Sequence, residues 1–491
     1  MNFADAIKNE QKWTRTENGA VALNTTGKKV LDLFSVVGAL RDTDKTRIET
    51  LVAEAYNENA DLTMKTLFYG RDIRGGLGER ETFKIAMKYL ANHHPESVRK
   101  NIKYFGEYGR FDDLYCLIDT PVEKDMWEYV KVQLGSDIKA LIAGETSISL
   151  LGKWLKTADA SSPKTRKLGI YTAQQLGMNV YTYKRVLRKL RKHLNVVETK
   201  MCDNNWGGIQ YDQVPSRASM IYRNAFMRHD EERYNDFIHA VNSGEKKINA
   251  STLYPYDIIE KYVGGSRYWA EWKDAEDPTI EALWNNLPNY VQPGTNAVVM
   301  ADTSGSMNGR PINTALGLAI YFAERNTGAY HNLWMTFSRY PQWQKLRGET
   351  LCQKLHNLNM GGWQMNTDLQ AAFELVLDTA IKNHVSTDEM PKSIIVISDM
   401  EIDYCGNSDW TFYDRMRTLF TVHGYEIPQI IFWNVNSRHD VFHADSKRKG
   451  VILCSGQSTS TFKTLINSVD MTPVEYMLSV LNSKRYEVIM A

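Results

Sequence analysis

The stretch Ala297-Val298-Val299-Met300-Ala301-Asp302-Thr303-Ser304-Gly305-Ser306 decides how the second part of this chain folds. An unbroken apolar run ends in a tight polar loop rich in oxygen donors. Similar runs follow at Leu333-Trp334-Met335-Thr336-Phe337, Ser393-Ile394-Ile395-Val396-Ile397, Ile430-Ile431-Phe432-Trp433 and Val451-Ile452-Leu453. Each reads as a strand buried on both faces. Helical stretches at 312–324, 369–383, 412–422 and 473–481 lie between or after them. Short apolar runs alternating with helices predict a doubly wound parallel α/β sheet, Rossmann-like, with helices on both faces. It occupies residues 289–491, after Leu287-Pro288, with Val291-Gln292-Pro293-Gly294 as linker.

Open parallel sheets bind ligands at the carboxyl ends of their strands, where the chain order switches direction. Asp302, Ser304 and Ser306 sit at such an end, and Gly305 lets the backbone turn between the two serines. Thr367, before the helix beginning near Leu369, offers a third hydroxyl. Asp399, closing the strand that starts at Ser393, offers a second carboxylate. A hard divalent cation takes oxygen ligands of this kind and keeps some water. The set predicts a site for Mg²⁺, or for Mn²⁺ or Ca²⁺, with a coordination position left for an external carboxylate or phosphate oxygen. The competing reading is a polar turn capping the next helix. No base or nucleophile lies beside the set, so it points to binding and not to catalysis, and a metal-dependent hydrolase fails for want of a catalytic base.

These five positions resemble the metal-ion-dependent adhesion site (MIDAS) of von Willebrand factor A domains. One departure stands out: Gly361-Gly362 is separated from Thr367 by Trp363-Gln364-Met365-Asn366, whereas many relatives carry the glycine pair directly before the threonine.

Residues 1–288 have a different texture. From about Thr46 to Trp284 apolar residues recur at helical spacing, as in 82–90. Breaks fall at Gly75-Gly76-Leu77-Gly78, Ser161-Ser162-Pro163 and Asn204-Asn205-Trp206-Gly207-Gly208. This predicts an all-helical module of short helices packed in pairs, of the HEAT type. Within it, residues 181–194 form an amphipathic helix with Tyr183, Val186, Leu187, Leu190 and Leu194 as the apolar stripe. Lys184, Arg188 and Lys192 line one flank at i, i+4 spacing, beside Arg185 and Lys189. Asp159 is the only acid between Lys153 and His193. Such a face neutralises phosphates and makes binding salt-dependent. Downstream, Arg217, Arg223, Arg228 and Arg233 recur among Tyr222, Phe226 and Tyr234, a mixture that suits unpaired bases. The plainer readings are a solvated basic face and aromatics that belong to the core.

Composition bounds the remaining classes. Lys+Arg (59) nearly balance Asp+Glu (58), so any nucleic-acid partner must be met by a local patch. Hydrophobic content of 43% and charged content of 24% are ordinary globular values and argue against extensive disorder. Five scattered cysteines without a C-x-x-C pair speak against a disulfide framework and a structural zinc site. With no basic, apolar leader and no apolar run near the ~20 residues that span a bilayer, the sequence reads as a cytoplasmic monomer without a membrane partner. Arg74-Gly75-Gly76-Leu77-Gly78-Glu79-Arg80 lacks the Lys-Ser/Thr of a phosphate-binding loop and reads as a turn before a helix at Glu81. His439 and His443 are four apart, but Asp440 stands where a zinc protease carries Glu, so they read as surface or loop residues.

A helical module joined to such a domain resembles the Ro autoantigen architecture, in which a ring of helical repeats (TROVE) is closed by an A-type domain. The 68–80 segment, Phe68-Tyr69-Gly70-Arg71-Asp72-Ile73-Arg74-Gly75-Gly76-Leu77-Gly78-Glu79-Arg80, is similar to the arginine- and glycine-rich segment of those modules. Asn204-Asn205-Trp206-Gly207-Gly208-Ile209-Gln210-Tyr211, followed by Val214-Pro215-Ser216-Arg217, resembles the central signature of an uncharacterised Ro-like family of bacteria, phages and plants. The resemblance implies a non-catalytic protein that binds structured or damaged RNA. Lys184, Arg185, Arg188, Lys189, Lys192, Arg217 and Arg223 are the candidate RNA contacts, and the metal site is left to a protein partner donating a carboxylate. The alternative is a metal-dependent protein–protein adaptor, as in chelatase-like systems, with no RNA.

Overall fold

The computed structural model describes residues 12–263, 275–337, 340–358, 368–403, 412–465 and 468–491. Among these, six strands form one sheet: β3 (Ala297–Asp302), β4 (Leu333–Phe337), β5 (Gln342–Lys345), β6 (Ser393–Ser398), β7 (Gln429–Asn434) and β8 (Val451–Ser455). A short antiparallel pair, β1 (Trp13–Arg15) and β2 (Val21–Leu23), precedes them. The sheet order is β5-β4-β3-β6-β7-β8. Strands β3, β6 and β7 are buried along their whole length, which is why their apolar runs are continuous. Helices Arg310–Arg325, Leu369–Lys382, Phe412–Val422 and Pro473–Leu481 match the helical stretches in the sequence.

The sheet is mixed and not fully parallel. β5 pairs antiparallel with β4, in the register Leu333↔Lys345 to Thr336↔Gln342. Its sequence, Gln-Trp-Gln-Lys, is polar although only Lys345 is exposed, and so no continuous apolar run announced it.

The helical region precedes the sheet, as expected. Helix Val180–His193 buries Tyr183, Leu187 and Leu190 and exposes Lys184, Arg185, Arg188, Lys189 and Lys192. Its Asn179 cap accepts a bond from Thr182 N at 2.8 Å. Helix Pro163–Gln175 starts on Pro163 with Ser162 as cap, and helix Glu81–His93 follows the glycine turn. That turn needs its glycines: a Cβ on Gly76 would lie 2.1 Å from the Tyr69 carbonyl oxygen, and Gly78 has φ of +71°.

Chain order and packing part company at the N-terminal end. Helix Lys29–Val36 packs against β8, and Leu23 and Phe442 exchange backbone bonds at 2.9 Å. Gly38 approaches Gly456 so closely that a Cβ on Gly38 would stand 2.6 Å from the Gly456 Cα. Asp72, fully buried, accepts from Arg485 Nη2 at 2.7 Å and from the Tyr486 hydroxyl at 3.0 Å. Residues 13–38 are thus built onto the sheet region as well as onto the helices. No helix among the described residues is long and apolar enough to cross a membrane.

Candidate functional site

β3 and β6 are neighbours in the sheet, and the chain leaves β3 toward β4 on one side but returns to β6 on the other. Their carboxyl ends therefore form a switch point, and both sequence-predicted acids sit there. Asp302 ends β3 and is fully buried. One of its oxygens accepts from Ser304 N at 2.8 Å and the other from the Ser398 hydroxyl at 2.6 Å. Ser304 and Ser306 hydroxyl oxygens lie 3.1 Å apart. Asp399, directly after β6, is also buried, and its Oδ1 accepts from Glu401 N at 3.2 Å. The next residue, Met400, takes φ of +68°, a left-handed turn unusual for a methionine, which swings the chain sharply away from the site. Thr367 lies outside the described residues, as do Gly361 and Gly362.

The electrostatics of the pair favour a cation. Burial raises the Asp302 carboxyl above the usual range and the neighbouring Asp399 raises it further. Asp399 is likewise raised by burial, although the Arg438 guanidinium works against this. Two carboxylates and two hydroxyls make an all-oxygen donor set, which fits a hard divalent ion and not a soft one. The Thr303 hydroxyl, buried in the same loop, has no partner among the described residues.

Sequence reasoning missed what flanks this loop. Arg438 Nη2 reaches Asp399 Oδ2 at 3.0 Å, and Nη1 reaches Glu17 at 2.7 Å. Glu401 accepts from Glu17 N at 2.6 Å and contacts His439 Nδ1 at 2.8 Å. His439 is an exposed loop residue, as expected, but His443 is not on the surface. It is buried against Phe432, with Nε2 3.0 Å from the Met400 carbonyl oxygen, because its ring fills space beneath the turn at Met400.

The basic residues of the helical region meet in a cavity of about 1290 Å³. That exceeds the roughly 300–1,000 Å³ of ordinary small-molecule pockets. Eleven Arg and Lys side chains line it against four acidic ones, and the carboxylates of Glu79, Asp112, Asp113 and Asp257 pair with lining arginines from behind. Lys184, Arg185, Arg188 and Arg217 are among the lining residues. Lys184 pairs with Asp159 at 2.7 Å and Arg217 with Asp257 at 3.0 Å, whereas Arg185 and Arg188 have no ion pair among the described residues.

Three predicted contacts fall outside this lining. Lys189 and Lys192 are exposed elsewhere on the helix, since a fully basic flank spans more arc than one cavity wall. Arg223 is held by Asp277 at 2.7 Å and donates to the Met220 carbonyl at 2.8 Å. Phe226 and Tyr234 are core residues, while Tyr181 stands 75% exposed at the cavity wall.

Much of the lining comes from scattered turns. Asp112 and Asp113 gather Arg71, Arg80, Arg110 and Lys156 around two carboxylates. Burial opposes the Asp112 charge, but the adjacent guanidiniums and Lys156 outweigh it and hold the carboxyl below its usual range. Arg110 also lies over the Trp154 ring at 4.1 Å. The sheet region contributes Arg310, first residue of the helix that follows the 302–306 loop.

Comparison with known sequences follows the same division. Residues 16–131 and 160–293 match the model of a domain of unknown function, DUF2828, over just more than half of the chain. The chain belongs to the DUF2828 family. Residues 296–487, which hold the sheet and the 302–306 loop, match a second domain of unknown function, DUF7788. An uncharacterized protein of Acanthamoeba polyphaga mimivirus is 28% identical over 509 aligned positions, covering 95% of this chain and 86% of the viral one. In this DUF2828 chain the 302–306 loop lies in the DUF7788 match, whereas most of the basic cavity lies in the DUF2828 match.

Proposed function

We propose that the chain is a non-catalytic RNA-binding protein of the Ro-like type, holding structured or damaged RNA by its phosphates in the basic cavity. The observation that carries this reading is the convergence of cationic side chains from sequence-distant helices and turns on one cavity. Solvated basic faces point outward singly. Here Lys184, Arg185, Arg188 and Arg217 share a concave surface with Arg110 and Lys153. Each phosphate neutralised there releases counterions. Tyr181, exposed in the same lining, offers a ring on which an unpaired base would stack.

The region 289–491 is read as a von Willebrand factor A-type domain with an adhesion-type metal site. The strand order, the oxygen-rich loop after β3 and the acid after β6 support that reading. Asp302, Ser304, Ser306 and Asp399, with Thr367, would hold Mg²⁺, Mn²⁺ or Ca²⁺, and a bound ion would offer a carboxylate from a protein partner a ligand position.

The deciding experiment is a fluorescence-anisotropy titration of an RNA hairpin with a single-stranded end across a salt series. Tight binding with a steep negative salt slope, lost on Lys184→Glu/Arg188→Glu and retained in Asp302→Ala, supports the assignment. Absence of binding even at low salt overturns it and leaves the metal-dependent adaptor.

A further inference from the structure

Three guanidiniums gather around Tyr256 and its neighbour Asp257 in the cavity wall. Arg41 Nη1 donates to the Tyr256 oxygen at 3.3 Å, the Arg310 guanidinium lies 5.2 Å from the Tyr256 ring centroid, and Arg217 is held by Asp257, the next residue. Tyr256 is almost wholly buried and its ring stacks on Tyr254, with centroids 5.8 Å apart. Glu79 fixes Nε and Nη2 of Arg41 at 3.1 and 2.8 Å, and both oxygens of Asp257 meet Nη2 of Arg217 at 3.0 Å. Arg310 has no ion pair among the described residues. Glu260 is the remaining carboxyl near it, and burial raises that group above its usual range.

We propose that this wall is a subsite for a terminal phosphate monoester on a nucleic-acid strand. The proposal rests on the RNA reading above and deepens it by naming the end group selected. An internal phosphodiester carries one charge, whereas a phosphate monoester carries about −1.5 to −2 at neutral pH and three strong acceptor oxygens. Guanidiniums match such oxygens with parallel N–H pairs. The acids that orient Arg41 and Arg217 leave Nη1 and Nε of Arg217 free of carboxylate contact. Because the Tyr256 oxygen already accepts from a guanidinium, its own proton remains to be donated to an anion. Arg310 is the least committed of the three cations and is the only one supplied by the sheet region, so the subsite is complete only when both regions are present.

The test uses three RNA oligonucleotides of one single-stranded sequence: hydroxyls at both ends, a 5′-phosphate, or a 3′-phosphate. Wild-type protein is expected to bind one phosphorylated strand about tenfold more tightly than the hydroxyl strand, the scale of one charge-assisted contact pair. Arg310→Ala should abolish that preference, so that phosphorylated and hydroxyl strands bind with equal affinity, and Arg310→Lys should keep only part of it. Equal affinity of the wild-type protein for all three strands overturns the subsite and leaves RNA binding standing. Failure of every strand to bind at low salt overturns both. Inorganic phosphate that binds as tightly as the phosphorylated strand assigns the wall to a free anion and overturns the strand-end proposal. The wild-type comparison decides the matter even if an Arg310 variant folds poorly.

Discussion

Arg438 places its Nη2 3.0 Å from Oδ2 of Asp399, so a guanidinium already compensates one of the two acids predicted to hold a cation. The same side chain extends to Glu17, which ties Asp399 to the N-terminal segment. A divalent ion bound there would therefore compete with Arg438 for one carboxylate. Arg438→Gln is expected to tighten Mn²⁺ or Mg²⁺ binding by about tenfold, the equivalent of about 1.4 kcal/mol, measured by isothermal titration. Unchanged or weaker metal binding in that variant would contradict the competition.

Metal binding itself should register as stability. At a free ion concentration 100 times the dissociation constant, a ligand that binds only the folded state adds about 2.7 kcal/mol. Thermal melting of the wild-type protein should rise accordingly with added Mg²⁺ or Mn²⁺. Asp302→Asn removes one of the two mutually repelling carboxylates and should erase the metal-dependent rise without lowering the melting point of the metal-free protein by much. A metal response that survives in Asp302→Asn would place the ion elsewhere.

The geometry divides the basic helix into two sets. Lys184 and Arg188 line the cavity, whereas Lys189 and Lys192 do not. Lys184→Gln/Arg188→Gln should flatten the log–log salt dependence of RNA binding by about 1.4, at about 0.7 per single-strand phosphate contact. Lys189→Gln/Lys192→Gln should leave the slope nearly intact. Equal effects from the two pairs would show that the outer face, and not the cavity, holds the strand.

His443 gives the fold a defined acid sensitivity. Burial pushes its imidazole below the usual value, so the folded state takes up a proton less readily than the unfolded chain. As pH falls through the normal histidine range the unfolded state gains protons first, and stability declines. The slope contributed by this one group is at most about 1.4 kcal/mol per pH unit. Urea denaturation between pH 7.5 and 5.5 should show the decline, and a folded His443→Gln variant should show less of it. A pH-independent wild-type midpoint over that interval would exclude the effect.

At Gly38 even a methyl group is too large. Its Cβ would meet Gly456 Cα at 2.6 Å and Leu77 Cδ1 at 2.8 Å. Gly38→Ala should cost about 1–3 kcal/mol as an overpacking defect, read from the denaturation midpoint. A neutral result would mean that the helix and β8 separate readily.

What the sequence disclosed follows burial pattern. Strands β3, β6 and β7 were legible because burial on both faces writes an unbroken apolar run. Strand β5 was not, because its residues are mostly polar, and β1 and β2 are too short to show a period. The helix Val180–His193 announced Lys184 and Arg188 by their four-residue spacing. No spacing could announce Arg41, Arg310 and Tyr256, which meet only after the chain has folded. Arg438 was equally silent: an arginine in a long loop has no pattern until Asp399 and Glu17 stand beside it.

The contact between residues 13–38 and the sheet carries a consequence for synthesis. Thr16 bonds to the Ile402 carbonyl at 2.6 Å across 386 positions, and Gly38 N to the Ser455 hydroxyl at 3.0 Å across 417. A chain emerging from the ribosome can pack its Lys29–Val36 helix on the helices that follow it, but the face that meets β8 stays uncovered until β8 has been made. Loop-closure entropy rises only logarithmically over such a span, so the final stability suffers little, but the waiting time is long. Separating the two sequence-matched regions would leave that face of the helix bare.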